Sequence, residues 1–228
     1  MAGFRLGGVP GVTPAKWLRV WATRVPEVPI SLIALEGADA VAALHDGRVD
    51  AVLARLPIDD AGLHAVRLYE ELPVVVAAKG HPIVAFETVT LADLAGEPML
   101  EQGAMTSAEL LATVATGAGI AIVPMAVARA LGGPETRHRV ITDLPSTTIA
   151  LVWLEAADSP LHQELVGIAR GRRADSSRGH REHSVEPGNA ATGAKPRPSK
   201  PKPRATPSRP RRPGGPGRPG RPGPGKRR

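Results

Sequence analysis

Short apolar runs alternate with amphipathic stretches along roughly the first 170 residues of the chain. Branched aliphatic residues fill the runs 30–35 and 147–154, and these are predicted to be buried strands. The stretch 63–70 alternates between apolar and polar residues like a strand, and a further strand is predicted there. The stretch 15–25 instead repeats its apolar residues at helical spacing, with Trp21 near the centre of the stripe. Strand and helix periodicities within the same 170 residues indicate a domain that contains both strands and helices.

The segment TGAGIAIVPMAVA, which begins at residue 116, changes between helix and strand patterns over the shortest distance. A helix is predicted over 107–115, and Gly117 and Gly119 end it. Four apolar residues, 120–123, follow as a short strand, and Pro124 separates this strand from another helical stretch. The segment therefore predicts a helix, a buried strand and a second helix with short connections.

The remaining strands are predicted at 4–9, 50–56 and 72–78. Thr13 and Pro14 are typical of the N-cap and first position of the helix that follows. Short helices are predicted after Gly37 and over 91–96, a short strand at Pro-Met-Leu, and a capped helix over 159–170. This order predicts an α/β fold with mostly parallel strands. The chain is expected to leave the first lobe near residue 76 and to return with the strand 147–154.

Charge divides the chain into two parts. Residues 1–169 contain 11 Lys and Arg against 19 Asp and Glu, which gives a net charge of −8. Residues 170–228 contain 18 basic residues against 3 acidic ones, a net charge of +15. The basic balance of the whole chain, +7, therefore belongs to its end, and such an asymmetry suggests a polyanionic partner.

The last 34 residues have a composition that predicts disorder. They comprise 13 Lys and Arg, 11 Pro and 6 Gly, with only Ser, Ala and Thr beside them. Such a segment buries too little apolar surface to offset the entropy of ordering. The segment 171–228 is therefore predicted to be a disordered basic tail.

Several function classes are disfavoured by what the sequence lacks. The chain contains no cysteine, so it has no thiol nucleophile, disulfide or cysteine metal site. No secretion signal and no apolar run long enough to span a membrane are seen, and we expect a cytoplasmic protein without a membrane partner. No nucleophile elbow or phosphate loop is present, so no enzyme activity, cofactor or bound metal is expected.

The order of these segments resembles the effector-binding domain of LysR-type transcriptional regulators. The resemblance extends from residue 4 to about residue 170 and rests on HDGRVDAVLARL, the Lys-Gly-His-Pro turn, LADLAGEP and GAGIAIVP in that order. It implies a two-lobed fold like that of type 2 periplasmic binding proteins. Lobe I is expected over about 1–76 and 145–170, and lobe II over about 77–144.

The resemblance also implies a small-molecule effector between the lobes. Short polar side chains and helix N-termini hold such effectors, and a carboxylate suits them physically. The candidate effector-binding residues are Thr13, Asp39, Thr106 and Ser107. The alternative for Thr13, Asp39 and Ser107 is that they only cap helices. The resemblance further implies dimerisation through a strand and helix of lobe I.

Two departures from the family pattern affect this picture. Members of the family begin with a winged helix-turn-helix, whereas this chain begins directly at its first strand, and the sequence leaves open whether such a unit lies upstream. Only EQGAMTS (101–107) joins the Pro-Met-Leu segment to the next helix, so a reduced lobe II is expected.

The tail provides candidate nucleic-acid contacts. Thirteen cations without anions over the last 34 residues predict salt-dependent attraction to phosphates. Two Gly-Arg-Pro units resemble part of an AT-hook, a motif whose arginine lies in the minor groove. A solubilising arm that folds back on the acidic domain is the alternative. The candidate residues are Arg209, Arg211, Arg212, Arg218, Arg221, Lys226, Arg227 and Arg228.

The sequence thus favours an effector-binding regulatory protein whose tail provides affinity for DNA. A small-molecule-binding module without a DNA function is a second interpretation. A third is a module that pairs with full-length regulators as a heteromer. The effector, the target genes and the oligomeric state are left open.

Overall fold

The computed structural model describes residues 3–171. This part of the chain contains nine β-strands and five α-helices. The strands are β1 (Phe4–Gly8), β2 (Ile30–Ala34), β3 (Ala51–Leu56), β4 (Leu63–Glu71), β5 (Pro73–Ala78), β6 (Thr88–Val89), β7 (Ala121–Pro124), β8 (Thr136–Ile141) and β9 (Thr147–Leu154). The helices are α1 (Ala15–Arg24), α2 (Ala40–His45), α3 (Ser107–Ala115), α4 (Met125–Leu131) and α5 (Pro160–Ala169).

The first sheet has five strands in the order β2-β1-β3-β9-β4. Strand β1 pairs in parallel with β2 and β3, and β9 runs antiparallel to both β3 and β4. Helix α1 packs against α5 on this sheet. We refer to the part of the chain built on the first sheet as lobe I.

The second sheet has four strands in the order β6-β8-β5-β7 and defines lobe II. Strand β5 pairs antiparallel with β7 and β8, and β6 pairs in parallel with β8. The chain passes from the first sheet to the second at Leu72 and returns with β9. Only three of the seven strand pairings in the described residues are parallel, so the expectation of mostly parallel strands was wrong. Strand β9 enters the first sheet from lobe II and therefore runs opposite to β3.

The core of lobe I is built around aromatic side chains. Trp21 is fully buried, and its ring N–H donates to the Val28 carbonyl over 2.7 Å. Phe4 lies 5.1 Å from Trp21 and 5.2 Å from His162 between ring centroids, and His162 stacks on Trp153 at 5.3 Å. The two helices and the sheet are thus joined by one ring cluster.

The core of lobe II is aliphatic and lies on both faces of its sheet. Val74 and Val76 of β5 face α3 and α4, where Leu111 and Val114 cover them. On the opposite face Val75 clusters with Ile83 and Leu94, which lie in the short 3₁₀ segments Pro82–Ala85 and Ala92–Leu94. Each face alone buries fewer side chains than the core of lobe I.

Helix α3 ends as the glycine pattern predicts. Thr116 is its C-cap and Gly117 follows with φ +83°, a left-handed conformation that favours glycine. Strand β7 and α4 follow directly, so the helix, strand and helix of this segment are all present.

Three local predictions were wrong. Thr13 is exposed and makes no side-chain capping bond, since α1 begins at Ala15 with Pro14 in the N-cap position. Strand β2 is half exposed rather than buried because it lies at the edge of the sheet, and Leu32 retains 45% of its exposure. The Pro-Met-Leu segment forms only an isolated bridge between Met99 and Ile120.

Two strands, β6 and β8, were not predicted. The segment TRHRVI of β8 begins with four polar residues, and β6 has only two residues. The helix expected over 91–96 is a single 3₁₀ turn, Ala92–Leu94. These segments are ordered by pairing and burial rather than by local preference.

Candidate functional site

A cavity of about 420 Å³ lies between the two lobes. We call it the interlobe cavity. From lobe I it is lined by Pro10, Gly37 and Arg55. From lobe II it is lined by Met99, Leu100, Glu101, Gln102, Ser107, Leu110, Ile122, Val123, Pro124 and Val127. Polar side chains are few among these residues, as in many small-molecule sites.

Arg55 provides the positive charge of this cavity. It projects from the end of β3, where its Nε donates to Glu71 Oε2 over 2.7 Å and its Nη2 donates to the Pro10 carbonyl over 2.7 Å. The side chains retain only 19% and 4% of their exposure, so this is a largely buried ion pair. The second oxygen of Glu71, Oε1, is buried and accepts no hydrogen bond from the described residues. The guanidinium is therefore held in place at the wall of the cavity.

The N-terminus of α3 provides backbone and hydroxyl donors. Thr106 caps the helix, and a capping box with Glu109 satisfies two of the free amides there. The Thr106 bonds lower the pKa of the Glu109 carboxyl, as expected for an anion at a helix N-terminus. Ser107, the next residue, is buried and lines the interlobe cavity.

Glu36 of lobe I already binds these donors. Its carboxylate accepts from Ser107 Oγ over 2.9 Å, from the Ser107 backbone N–H over 3.4 Å and from Gln102 Nε2 over 3.3 Å. Glu36 lies two residues after β2, whereas both partners belong to lobe II. One side chain thus links the two lobes at the edge of the cavity.

A second cavity, of about 530 Å³, is lined by Glu71, whereas its ion-pair partner Arg55 lines the first cavity. We call it the hinge cavity, because it adjoins the crossing at Leu72. It is lined by Gly11, Thr13, Tyr69, Glu70, Glu71, Leu72, Met125, Ala126, Arg129 and Ala130. Burial and the charge of Glu71 raise the pKa of the Tyr69 hydroxyl, so this side chain is a neutral donor near pH 7.

Gly11 brings the two lobes together at the hinge cavity. Its φ is +88°, and a Cβ at this position would lie 2.7 Å from backbone atoms of Ala126 and Val127. Only glycine permits both this conformation and this approach.

The structure does not bring the four sequence-predicted effector residues together. Ser107 lines the interlobe cavity, whereas Thr13 lines the hinge cavity. Thr106 is exposed and bound to Glu109, and Asp39 is exposed in a 3₁₀ turn. Their roles in binding stay predictions. The eight basic residues proposed for the tail, from Arg209 to Arg228, lie outside the described residues.

Sequence reasoning missed Glu36 and Arg55. Glu36 follows a predicted strand and precedes the Gly37 turn, which is a position where a side chain often reaches a ligand site. Arg55 interrupts an otherwise apolar strand, AVLARL, and a charge in such a run needs a partner when buried. Neither signal identifies the partner, because the partners lie 16 or more residues away.

The family comparison agrees with the geometry. A family model described as the LysR substrate binding domain matches residues 5–107 of this chain. The match covers β1 to the start of α3, including Glu36, Arg55, Glu71 and Ser107. Residues 5–107 are therefore similar in sequence to the LysR substrate-binding domain. The resemblance seen in the sequence is therefore confirmed.

Curated relatives are regulators of this family. The chain is 33% identical over 102 residues to the "Probable hydrogen peroxide-inducible genes activator" of Mycobacterium avium. This alignment covers 43% of this chain and 33% of the relative. It is 38% identical over 74 residues to the transcriptional regulator CatR of Pseudomonas putida, covering 32% of this chain and 25% of CatR. The chain thus spans a third or less of the length of these two relatives. The expectation of a regulatory rather than enzymatic family is confirmed by these matches.

Solved structures show that the LysR-type fold extends beyond residue 107. The effector-binding domain of BenM with its effector benzoate aligns over 81% of this chain and 98% of its own, with a TM-score of 0.63 and 20% identity. A cysteine-to-serine mutant of Corynebacterium glutamicum OxyR, bound to H₂O₂, aligns over 75% of this chain and 67% of its own, with a TM-score of 0.61 and 18% identity. The predicted two-lobed α/β architecture is confirmed. In addition, no helix within residues 3–171 has the length and apolarity needed to cross a bilayer.

Proposed function

We propose that this LysR-type domain binds a small metabolite bearing a carboxylate in the interlobe cavity and that the chain acts in transcriptional regulation. The observation that supports the ligand class is the set of donors around Ser107. These donors, a backbone N–H, a hydroxyl and the Gln102 amide, already surround one carboxylate in the structure, that of Glu36. A free carboxylate of similar shape fits the same donors.

The apolar walls of the cavity support a ligand with an apolar body. Leu110, Ile122 and Val127 are among the residues that form these walls. Solved structures of this fold hold different effectors, benzoate in BenM and H₂O₂ in OxyR. This chain contains no cysteine, so thiol oxidation is not available to these 228 residues. A bound metabolite is therefore the better proposal than a peroxide.

A thermal-shift screen of organic acids, each paired with its neutral amide, tests the ligand class. We expect some acids to stabilise the chain and their amides to do so less. The substitution Ser107→Ala should reduce the shift, and Thr13→Val, which changes the hinge cavity only, should leave it unchanged. No stabilising acid at millimolar concentration, or equal effects of the two substitutions, would contradict the proposal.

The basic tail supports a role in DNA binding. Its phosphate contacts should be sequence-independent, so the affinity should fall steeply with salt. We expect the full chain to bind labelled duplex DNA in fluorescence anisotropy and a chain ending at Arg170 not to bind, since residues 1–169 have a net charge of −8. Replacing Arg218 and Arg221 by Ala should remove any A·T preference beyond the loss of charge. Equal binding by both chains would place the affinity in the domain instead.

The edge of the first sheet supports association with a second copy or with a full-length regulator. Strand β2 lies at this edge, with an unpaired row of backbone groups, and Leu32 on it is 45% exposed. Light scattering after size-exclusion chromatography should give a dimer that Leu32→Arg dissociates. Phe86→Arg, at an exposed apolar residue outside this strand, is the matched control. A monomer at all concentrations would contradict self-association.

A further inference from the structure

The Glu36 contact links the two lobes at a place away from the covalent crossing. Glu36 is 71 residues from Ser107 and 66 from Gln102, and its side chain forms hydrogen bonds to both. Ser107 and Gln102 line the interlobe cavity, whereas the crossing at Leu72 lines the hinge cavity. A bond in this position holds the lobes together beside the interlobe cavity.

The donors that Glu36 binds are those left free by the helix cap. In α3, the Thr106 hydroxyl accepts from the Glu109 N–H and the Glu109 carboxylate accepts from the Thr106 N–H. The Ser107 N–H lies within the first turn and has no partner inside the helix, as for all first-turn amides. It donates to Glu36 instead. Glu36 therefore satisfies the Ser107 N–H and hydroxyl and places a negative charge at the positive end of the helix dipole.

We infer that Glu36 acts as a tethered carboxylate that latches lobe I to lobe II and that an anionic effector must displace it. The latch rests on the observed hydrogen bonds alone, whereas the competition rests on the proposed function. In the latched state the protein's own carboxylate occupies the Ser107 donors. In the bound state the effector carboxylate occupies them and Glu36 is released to solvent.

Glu101 provides a matched control for the charge of Glu36. It also lines the interlobe cavity and is exposed, but it forms no hydrogen bond to α3 in the described residues. Removing either carboxylate deletes one negative charge near the cavity. Only removal of Glu36 breaks the link between the lobes, so the two variants separate a latch from general electrostatics.

The absence of cysteine allows a direct measurement of the latch. Cysteines introduced at Ala42 of α2 and Ala112 of α3, both exposed, accept spin labels in the full chain without competing thiols. We expect Glu36→Ala to shift the distance distribution between the labels to longer and broader values. We expect Glu101→Ala to leave it as in the parent chain. An unchanged distribution in Glu36→Ala, with the fold preserved by circular dichroism, would overturn the latch.

Titration with benzoate, a carboxylate with an apolar body, tests the competition. We expect Glu36→Ala to bind benzoate roughly 10-fold tighter than the parent chain, which corresponds to about 1.4 kcal/mol, because no internal carboxylate must be displaced. Benzamide should bind the two chains alike, and Glu101→Ala should tighten benzoate binding less than Glu36→Ala does, because it removes a charge from the cavity wall without freeing the Ser107 donors. Equal tightening in both variants would overturn competition at the Ser107 donors.

The two readouts separate failure of this inference from failure of the proposed function. If Glu36→Ala lengthens the distances but no variant binds benzoate, the latch is supported, and both the displacement step and the proposed carboxylate class are contradicted for this ligand. If benzoate binds and the distances do not change, the proposed function is supported and the latch is wrong.

Discussion

The two lobes of this domain are stabilised by different kinds of core. In lobe I a ring cluster of Phe4, Trp21, Trp153 and His162 joins the sheet to α1 and α5. Lobe II has small aliphatic clusters on the two faces of a four-stranded sheet, with no buried aromatic ring among its described residues. Large rings bury more apolar area per residue than Val and Ala do. From this difference we expect local unfolding to occur more readily in lobe II than in lobe I.

The largest expected effect is the loss of Trp21. Trp21→Ala removes a fully buried ring and leaves the Val28 carbonyl without its donor, which should reduce the free energy of unfolding by about 3–5 kcal/mol. Urea unfolding followed by circular dichroism measures this. Trp17→Ala in the same helix, at a half-buried position, should cost clearly less. Equal losses would show that the ring cluster is not the centre of the lobe I core.

A smaller and more local effect is expected for Leu111 in lobe II. Leu111→Ala should cost about 2–4 kcal/mol, because the side chain is 2% exposed beneath β5. Amide hydrogen exchange should increase in β5, β7 and β8 more than in β1, β3 and β9. Uniform acceleration in both sheets would mean that the lobes unfold as one unit and that the contrast between them has no energetic consequence.

The buried ion pair of lobe I, Arg55 with Glu71, should show strong coupling. Arg55→Met leaves the Glu71 carboxylate buried without its partner and should cost about 3 kcal/mol, discounted for the partial exposure of Arg55. Glu71→Leu, in turn, leaves the Arg55 guanidinium without its carboxylate partner. The double variant should be more stable than the sum of the two losses predicts. Additive losses would show that the two side chains are not energetically coupled.

The smallest expected effect is a pH dependence in lobe II. Burial, with the nearby charges of Arg129 and Arg139, lowers the pKa of His138 on β8. The unfolded chain, with a His pKa near 6.5, therefore binds this proton first as the pH falls. Stability should thus decrease below about pH 6.5, and His138→Gln should flatten that decrease. Thermal unfolding between about pH 7.5 and pH 5.5 measures it, and an equal slope in both chains would contradict the assignment.

The alternation of element types was predictable from local pattern. Strand β9 was predicted with the bounds that the structure has, since TTIALVWL is a run of β-branched and apolar residues that are buried on both faces. Strand β8 was missed because Arg137, His138 and Arg139 give it no apolar periodicity. The central position of β8 between β5 and β6 makes it a strand, and this depends on residues about 50–65 positions earlier in the chain.

The candidate site was predictable only in part. Ser107 was found because a hydroxyl at a helix start is a local signal. Thr13 and Thr106 share that signal, but the first lies on the hinge cavity and the second is bound to Glu109. Glu36 and Arg55 were not found, because a charged side chain has the same appearance in a sequence whether it faces solvent or a partner.

The sequence by itself determined most of the helices and strands, the turn at Gly117, the acidic charge of residues 1–169 against the basic tail, and the resemblance to the LysR substrate-binding domain. These depend on periodicity, on backbone preference and on composition, which are properties of neighbouring residues. The tertiary structure alone decided which strands are parallel, which cavity each polar residue lines and that Glu36 binds the N-terminus of α3. Such contacts join residues about 16–71 positions apart. Their geometry results from how two sheets pack across one crossing, and no local segment contains that information.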